Sequence, residues 1–251
     1  SDVPAALDFL SDVGMVVSAT CSDPGSLLVL NPLWLCAAIS CLVHSEQWVV
    51  SGIFALQDLG DILSGFSTKD RREIVKMLQE YELLFLAEND GVDVGVVPFL
   101  LPKQQPDISQ IWSVRPGEPS ALVEHQRVFK FEFLPMAFFS RLLVRVLNVP
   151  GIFSQFLWRE GVVVGFEHQV GLIVYSPSVH TLTLKVRTMS KHKRGTLGAK
   201  PPRLLFRILV EAVEALIECN FPTIGETCER LAPCAHCVRI GSIKPFLFDL
   251  S

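Results

Sequence analysis

Along "RVFKFEF", Arg127 to Phe133, apolar and polar positions alternate, with Phe129, Phe131 and Phe133 on one side and Val128, Lys130 and Glu132 on the other. This period of two predicts a strand covered on one face. Three further runs, "GVVVGFE", "GLIVYS" and "HTLTLKVR", follow with turn residues between them and predict a meander whose last member buries Leu182, Leu184 and Val186. Other stretches repeat at helical spacing. "STKDRREIVKMLQEYEL" places Ile74, Leu78 and Tyr81 in one stripe, and Ser67 and Asp70 have the spacing of a capping box. In "NPLWLCAAISCLVH", Asn31 can cap the first free amides and Pro32 stands where its missing N–H costs nothing, so a buried helix follows. Cys36 and Cys41 within it read as small core residues.

The N-terminal stretch predicts a short helix from Pro4 stopped by Gly14, then two short strands, "MVVSAT" and "SLLVL". "LLFLAENDGVDVGVVPFLL" has apolar runs on both sides of Asn89-Asp90-Gly91, residues that tolerate positive φ, and reads as a hairpin. A helix followed by such a hairpin is the closing part of a winged-helix unit. In the second half, "FLPMAFFSRLLVRVL" reads as a helix opened by Pro135. Phe138, Phe139, Leu142, Leu143 and Val146 cover most of its surface, while Arg141 and Arg145 share one side with room for a carboxylate partner. "LLFRILVEAVEALIEC" predicts another helix, with Leu209, Val213, Leu216 and Ile217 dry and Glu211, Glu214 and Glu218 wet.

The polar, proline-bounded "PKQQPD" marks a boundary. The expected organisation is α+β: a helical, winged-helix-like part over residues 1–107, an antiparallel sheet with helices over 108–224, and a Cys/His-containing tail over 225–251. No internal repeat is found.

Composition narrows the function. Of 251 residues, 49% are hydrophobic and 19% charged, enough apolar matter for real cores and too much for disorder. No run of about 20 apolar residues exists to cross a bilayer, because "LLVLNPLWLCAAISCLV" is broken at Asn31-Pro32. Asp2 and Asp8 do not fit a signal peptide, and seven cysteines without framework spacing point to a reducing, cytoplasmic setting. The abrupt start suggests a fragment of a longer protein.

The chemistry-bearing motifs are sparse. No G-x-x-x-x-G-K-[ST] or G-x-G-x-x-G turn aims amides at phosphate, and neither G-x-S-x-G nor H-E-x-x-H occurs. His125 and His168 each follow a glutamate and read as structural. "CERLAPCAHCVRIG" offers Cys228, Cys234, His236 and Cys237 as zinc ligands, since a Cys-x-x-Cys pair can bring two thiolates to one tetrahedral ion. The second pair is irregular, and the plainer reading is reduced cysteines under the last helix. Lys191, Lys193 and Arg194, with Lys185, Arg187, Lys200 and Arg203, form the densest positive cluster. A winged-helix nucleic-acid binder using the basic loop 191–203 is the alternative this raises. A net charge of -4 and the lack of interleaved aromatics weigh against it, and a solvated loop is the plainer reading.

The order "FLSDVGMVVSA", "LVLNPLWLCAAISCLV", "REIVKMLQEYELLF" with "VVPFLL", "FEFLPMAFFSRLLVRVL" and "LWREGVVV" resembles the COR (C-terminal of Roc) domain of Roco-family proteins, which include the leucine-rich-repeat kinases. The resemblance runs from about Leu7 to Ile224 and leaves Cys228 to Cys237 unmatched. It implies a COR-A part, incomplete at its start, followed by a COR-B part. It also implies a non-catalytic regulatory module beside a Roc GTPase domain on the same chain, with GTP and magnesium bound in Roc and none here. In bacterial members COR-B dimerises, so a homodimer is implied. Pro135, Phe138, Arg141 and Leu142 match the family's proline-aromatic-arginine helix, and Trp158, Arg159 and Gly161 its W-R-x-G turn. The strand Val94 to Leu100 matches one that abuts Roc in the kinases; the family can carry a tyrosine where Val94 stands. Val94, Val96, Arg141 and Arg145 are thereby the expected partner contacts.

Overall fold

The computed structural model describes residues 3–18, 28–89, 91–112, 124–188, 203–240, 242 and 245–250. Its residues fall into two units, Ser1–Leu101 and Pro102–Ser251, and the fold is α+β.

The first unit runs α1 (Val3–Asp12), β1 (Val17–Ser18), β2 (Leu28–Val29), α2 (Pro32–His44), β3 (Ile53–Ala55), α3 (Leu59–Ile62), α4 (Thr68–Glu80), β4 (Phe85–Asn89) and β5 (Val92–Val96). β1 and β2 pair antiparallel, and β5 lies between β3 and β4 in a three-stranded antiparallel sheet. Local chemistry explains the ends of the helices. The Asn31 side chain accepts from the Leu33 N–H at 3.1 Å, and the Ser67 hydroxyl accepts from the Asp70 N–H at 3.2 Å while donating to its carboxylate at 2.7 Å. Gly91 turns the β4–β5 hairpin with φ +77°, where a side chain would be strained.

Ala38, Leu42, Phe54, Leu63, Ile74 and Leu78 are central to this unit's core. At Gly95 a Cβ would stand 2.4 Å from Cζ of the Phe54 ring, so glycine lets the aromatic lie against the strand. Cys36 departs from expectation and is exposed, as is Leu33. α2 is apolar on most sides, and only the face carrying Leu35, Ala38 and Leu42 is fully buried.

The second unit holds β6 (Glu124–Lys130), α5 (Met136–Leu147), β7 (Phe153–Trp158), β8 (Gly161–Phe166), β9 (Gln169–Ser176), β10 (Thr181–Thr188), α6 (Arg203–Asn220), α7 (Pro222–Glu226), β11 (Glu229–Pro233), α8 (Ala235–Arg239) and β12 (Leu247–Asp249). Seven strands form one antiparallel sheet in the order β12-β11-β6-β10-β9-β8-β7. On one face, Phe129, Leu182, Leu184 and Ile173 are wholly buried beneath α5 and α6. Rings continue this layer from Phe131 to Phe138 to Phe221, with centroids 5.6 and 5.3 Å apart. The buried Gln169 side chain accepts from the Leu205 N–H at 3.2 Å, satisfying an otherwise free amide in the first turn of α6.

The other face is covered as well, contrary to the one-sided strand predicted for "RVFKFEF". Residues 102–112, whose polar start reads as a linker, lay Ile108, Ile111 and Trp112 against Trp158, Val163, Val170 and Leu172. Val128, whose side chain is on this face, is buried too, and β8 is buried at five successive positions, Gly161 to Gly165. Strands covered on both faces read as continuous apolar runs rather than alternations. Phe133 lies beyond the end of β6 and is 65% exposed, so the phenylalanine row stops at Phe131.

Candidate functional site

The residues singled out for partner contact occupy different settings. Val94 and Val96 both lie on β5, the central strand of the small sheet, and both are buried. Arg141 and Arg145 are half-buried on α5. Arg145 Nη2 donates at 2.6 Å to the side-chain oxygen of Asn220, at the end of α6.

The turn between β7 and β8 shows why a tryptophan and a glycine stand three residues apart. Trp158 and Gly161 face each other across the hairpin, and a Cβ on Gly161 would fall 1.9 Å from the indole Cζ2. The glycine thus admits a fully buried indole, and the Arg159 N–H donates to the Pro102 carbonyl at 2.8 Å, fastening the covering segment.

The four metal-ligand candidates do not gather at one point: Cys234 and Cys237 lie within side-chain hydrogen-bond reach of each other, but Cys228 stands apart. Cys228 precedes β11 and Cys234 follows it, and six residues of extended chain span roughly 20 Å, whereas thiolates on one zinc ion are held about 2.3 Å from the metal. Among the described residues, no three His, Cys, Asp or Glu side chains gather where they could hold an ion. Cys228 is buried, and burial pushes its thiol from 9.0 up to about 11, which disfavours the thiolate a metal requires. Cys234, at the N-cap of α8, shifts the opposite way, because the N–H groups of Cys237 and His236 favour its thiolate.

β11 is built into the sheet rather than hanging as a tail. Its Glu229, Arg230 and Leu231 pair with Lys130, Phe129 and Val128 of β6. Arg230 grips the Glu214 carboxylate of α6 through Nε at 3.0 and 3.1 Å and Nη2 at 2.9 Å, and donates to the Cys228 carbonyl at 3.2 Å. Glu214 is therefore half-buried, where helical spacing predicts a wet side. Glu214 lies 16 residues from Arg230, and Lys130, which donates to Glu229 at 2.7 Å, lies 99 residues from it, so the strand's fastenings leave no local sequence signal.

The basic loop also divides. Residues 191–202 lie outside the described residues, and Arg203 opens α6. Arg187 is not a surface charge: it is 8% exposed, its Cζ sits 3.7 Å from the Trp112 ring centroid, and Nη2 donates to the Ile111 carbonyl at 2.9 Å. Burial lowers the guanidinium's pKa, with Glu124 opposing. His125 packs its ring 5.6 Å from Phe206. No helix among the described residues is long and apolar enough to cross a membrane.

Comparison with known proteins agrees with this architecture. The family described as "C-terminal of Roc, COR-A domain" matches residues 1–101, and "C-terminal of Roc, COR-B domain" matches residues 123–251, which takes in β11 and β12. The chain is 29% identical over 174 residues to the probable serine/threonine-protein kinase roco11 of Dictyostelium discoideum, covering 64% of this chain and 11% of that protein. It is 24% identical over 255 residues to the probable serine/threonine-protein kinase pats1 of the same organism, covering 96% and 7%. Leucine-rich repeat serine/threonine-protein kinase 1 of Mus musculus is 25% identical over 159 residues, covering 58% and 7%. The chain thus spans about a tenth or less of the length of these relatives. With both halves matched in order, the chain belongs to the COR domains of the Roco family.

Proposed function

We propose that this chain is a non-catalytic regulatory module that couples to a Roc GTPase domain on the same polypeptide and dimerises through its COR-B half. The observation that carries the reading is the consecutive match of COR-A and COR-B, domains defined by their place after Roc. The COR domain is not itself a catalytic domain, and the relatives are named as kinases. GTP and magnesium would act in Roc, and a kinase activity in the parent is part of the same proposal.

The burial of Val94 and Val96 favours a Roc contact made by the exposed margin of the small sheet, where Val92 is 46% exposed, rather than by those two side chains. The test joins a Roc domain to this chain and measures GTP hydrolysis and mass by light scattering. A concentration-dependent dimer and a hydrolysis rate that differs from that of Roc alone are the expected results. A monomer at high concentration removes the dimer, and an unchanged rate removes the coupling.

One observation favours a second reading. The order α2-β3-α3-α4-β4-β5, with β5 central, supports a winged-helix reading, and winged helices are common nucleic-acid binders. Its α4 mixes Lys69, Arg71, Arg72 and Lys76 with Asp70, Glu73 and Glu80, a poor match to a phosphate backbone. Retention on DNA at low salt, lost as salt rises, would support this reading over the first.

A further inference from the structure

Beside the segment 102–112, the second unit has a concavity of about 410 Å³, within the size range of small-molecule sites. Its floor is made by two cross-strand rows. Gln126, Lys185 and Leu172 stand opposite one another on β6, β10 and β9, and Thr183 and Val174 form the next row along. Ile108 and Trp112 form the apolar wall. That wall is held in place: the Trp112 N–H donates to the Ile108 carbonyl at 2.6 Å, and Arg187 is pinned against the indole and the Ile111 carbonyl.

The charges in this concavity are uneven. Lys185 supplies an ammonium, Gln126 an amide and Thr183 a hydroxyl, and among the described residues no carboxylate lines the space. The neighbouring acid, Glu124, stands opposite Arg187 in the next row and faces that guanidinium. Arg187 itself is committed to Trp112 and Ile111. Lys185 is half-buried, and no ion pair is drawn to it from the described residues. A single cation beside an apolar wall complements one negative charge on an apolar body, whereas a phosphate dianion would call for more cations.

We propose that this concavity is a binding site for a small apolar ligand bearing one carboxylate, with Lys185 pairing the carboxylate and Trp112, Ile108, Leu172 and Val174 holding the apolar body. The site is independent of any coupling to Roc.

Isothermal titration of the 251-residue chain with 2-naphthoate and with uncharged 2-naphthamide tests it. Naphthoate binds saturably at one site and about tenfold more tightly than the amide, the preference expected of one charge-assisted hydrogen bond. Lys185→Met erases that preference and leaves the amide's affinity unchanged. Thr183→Trp fills the space and abolishes both, with the melting transition serving as the check on folding. Equal affinities for the two probes, binding that does not saturate, or a preference that survives Lys185→Met would each overturn the proposal. Should Thr183→Trp not fold, the Lys185→Met comparison decides alone.

Discussion

The two faces of the seven-stranded sheet are both covered, but by different means. One lies under α5 and α6, whose apolar stripes bury Phe129, Leu182, Leu184 and Ile173 completely. The other lies under an irregular segment anchored by Trp112, Arg187 and the Arg159–Pro102 hydrogen bond. Helices supply repeating side chains and fill the space beneath them. A short segment supplies two or three anchors, and a concavity lies beside Ile108 and Trp112. The helix face is where stability is expected to concentrate, and the strapped face is where there is room for a ligand.

Mutations that remove single anchors test that contrast. Phe138→Ala removes a fully buried ring between Phe131 and Phe221, and a loss of about 3 to 5 kcal/mol in urea unfolding is expected. Trp112→Ala on the opposite face costs less, roughly 2 to 3 kcal/mol, since the segment can settle into the space left. It should also abolish naphthoate binding. Equal losses for the two variants would break the contrast.

A third prediction concerns the strand beside β6. The folded state holds the Cys228 thiol protonated up to about 11, while the unfolded thiol ionises near 9.0. The stabilisation is present below pH 9 and is lost as pH rises toward 11, by roughly 2 kcal/mol. Cys228→Ala should flatten the urea midpoint over that window, and an unchanged alkaline slope would exclude the buried thiol as its source. The smallest effect is expected for Gln169→Leu, which leaves the Leu205 N–H without its acceptor and costs about 1 kcal/mol by the same unfolding measurement.

What was readable in the sequence follows the range of the interactions. α2 and α4 announce themselves through Asn31, Pro32, Ser67 and Asp70, and the β4–β5 hairpin through Gly91, because caps and turns are made by neighbours. The meander and α5 carry clear periodicity. Less readable were features made across long separations. β11 is secured by Lys130 and Glu214, and neither lies near it in sequence. Residues 102–107 look like a linker because their polarity shows nothing of the Ile108 and Trp112 anchors that follow. Cys228 has ligand chemistry but stands before an extended strand that separates it from Cys234 and Cys237. Val94 and Val96 match a partner-facing strand, yet a central position in a sheet buries them.

The insertion of β11 between β6 and β12 also bears on how the second unit forms. β6 must wait for β10, more than fifty positions later, and then for β11, with Lys130 meeting Glu229 across 99 positions. Such distant pairings make collapse slow and expose β6 as an unpaired border during synthesis. A nascent chain halted before Glu229 would carry a ready template for strand addition, so this half is a natural client for chaperones until its last strands emerge.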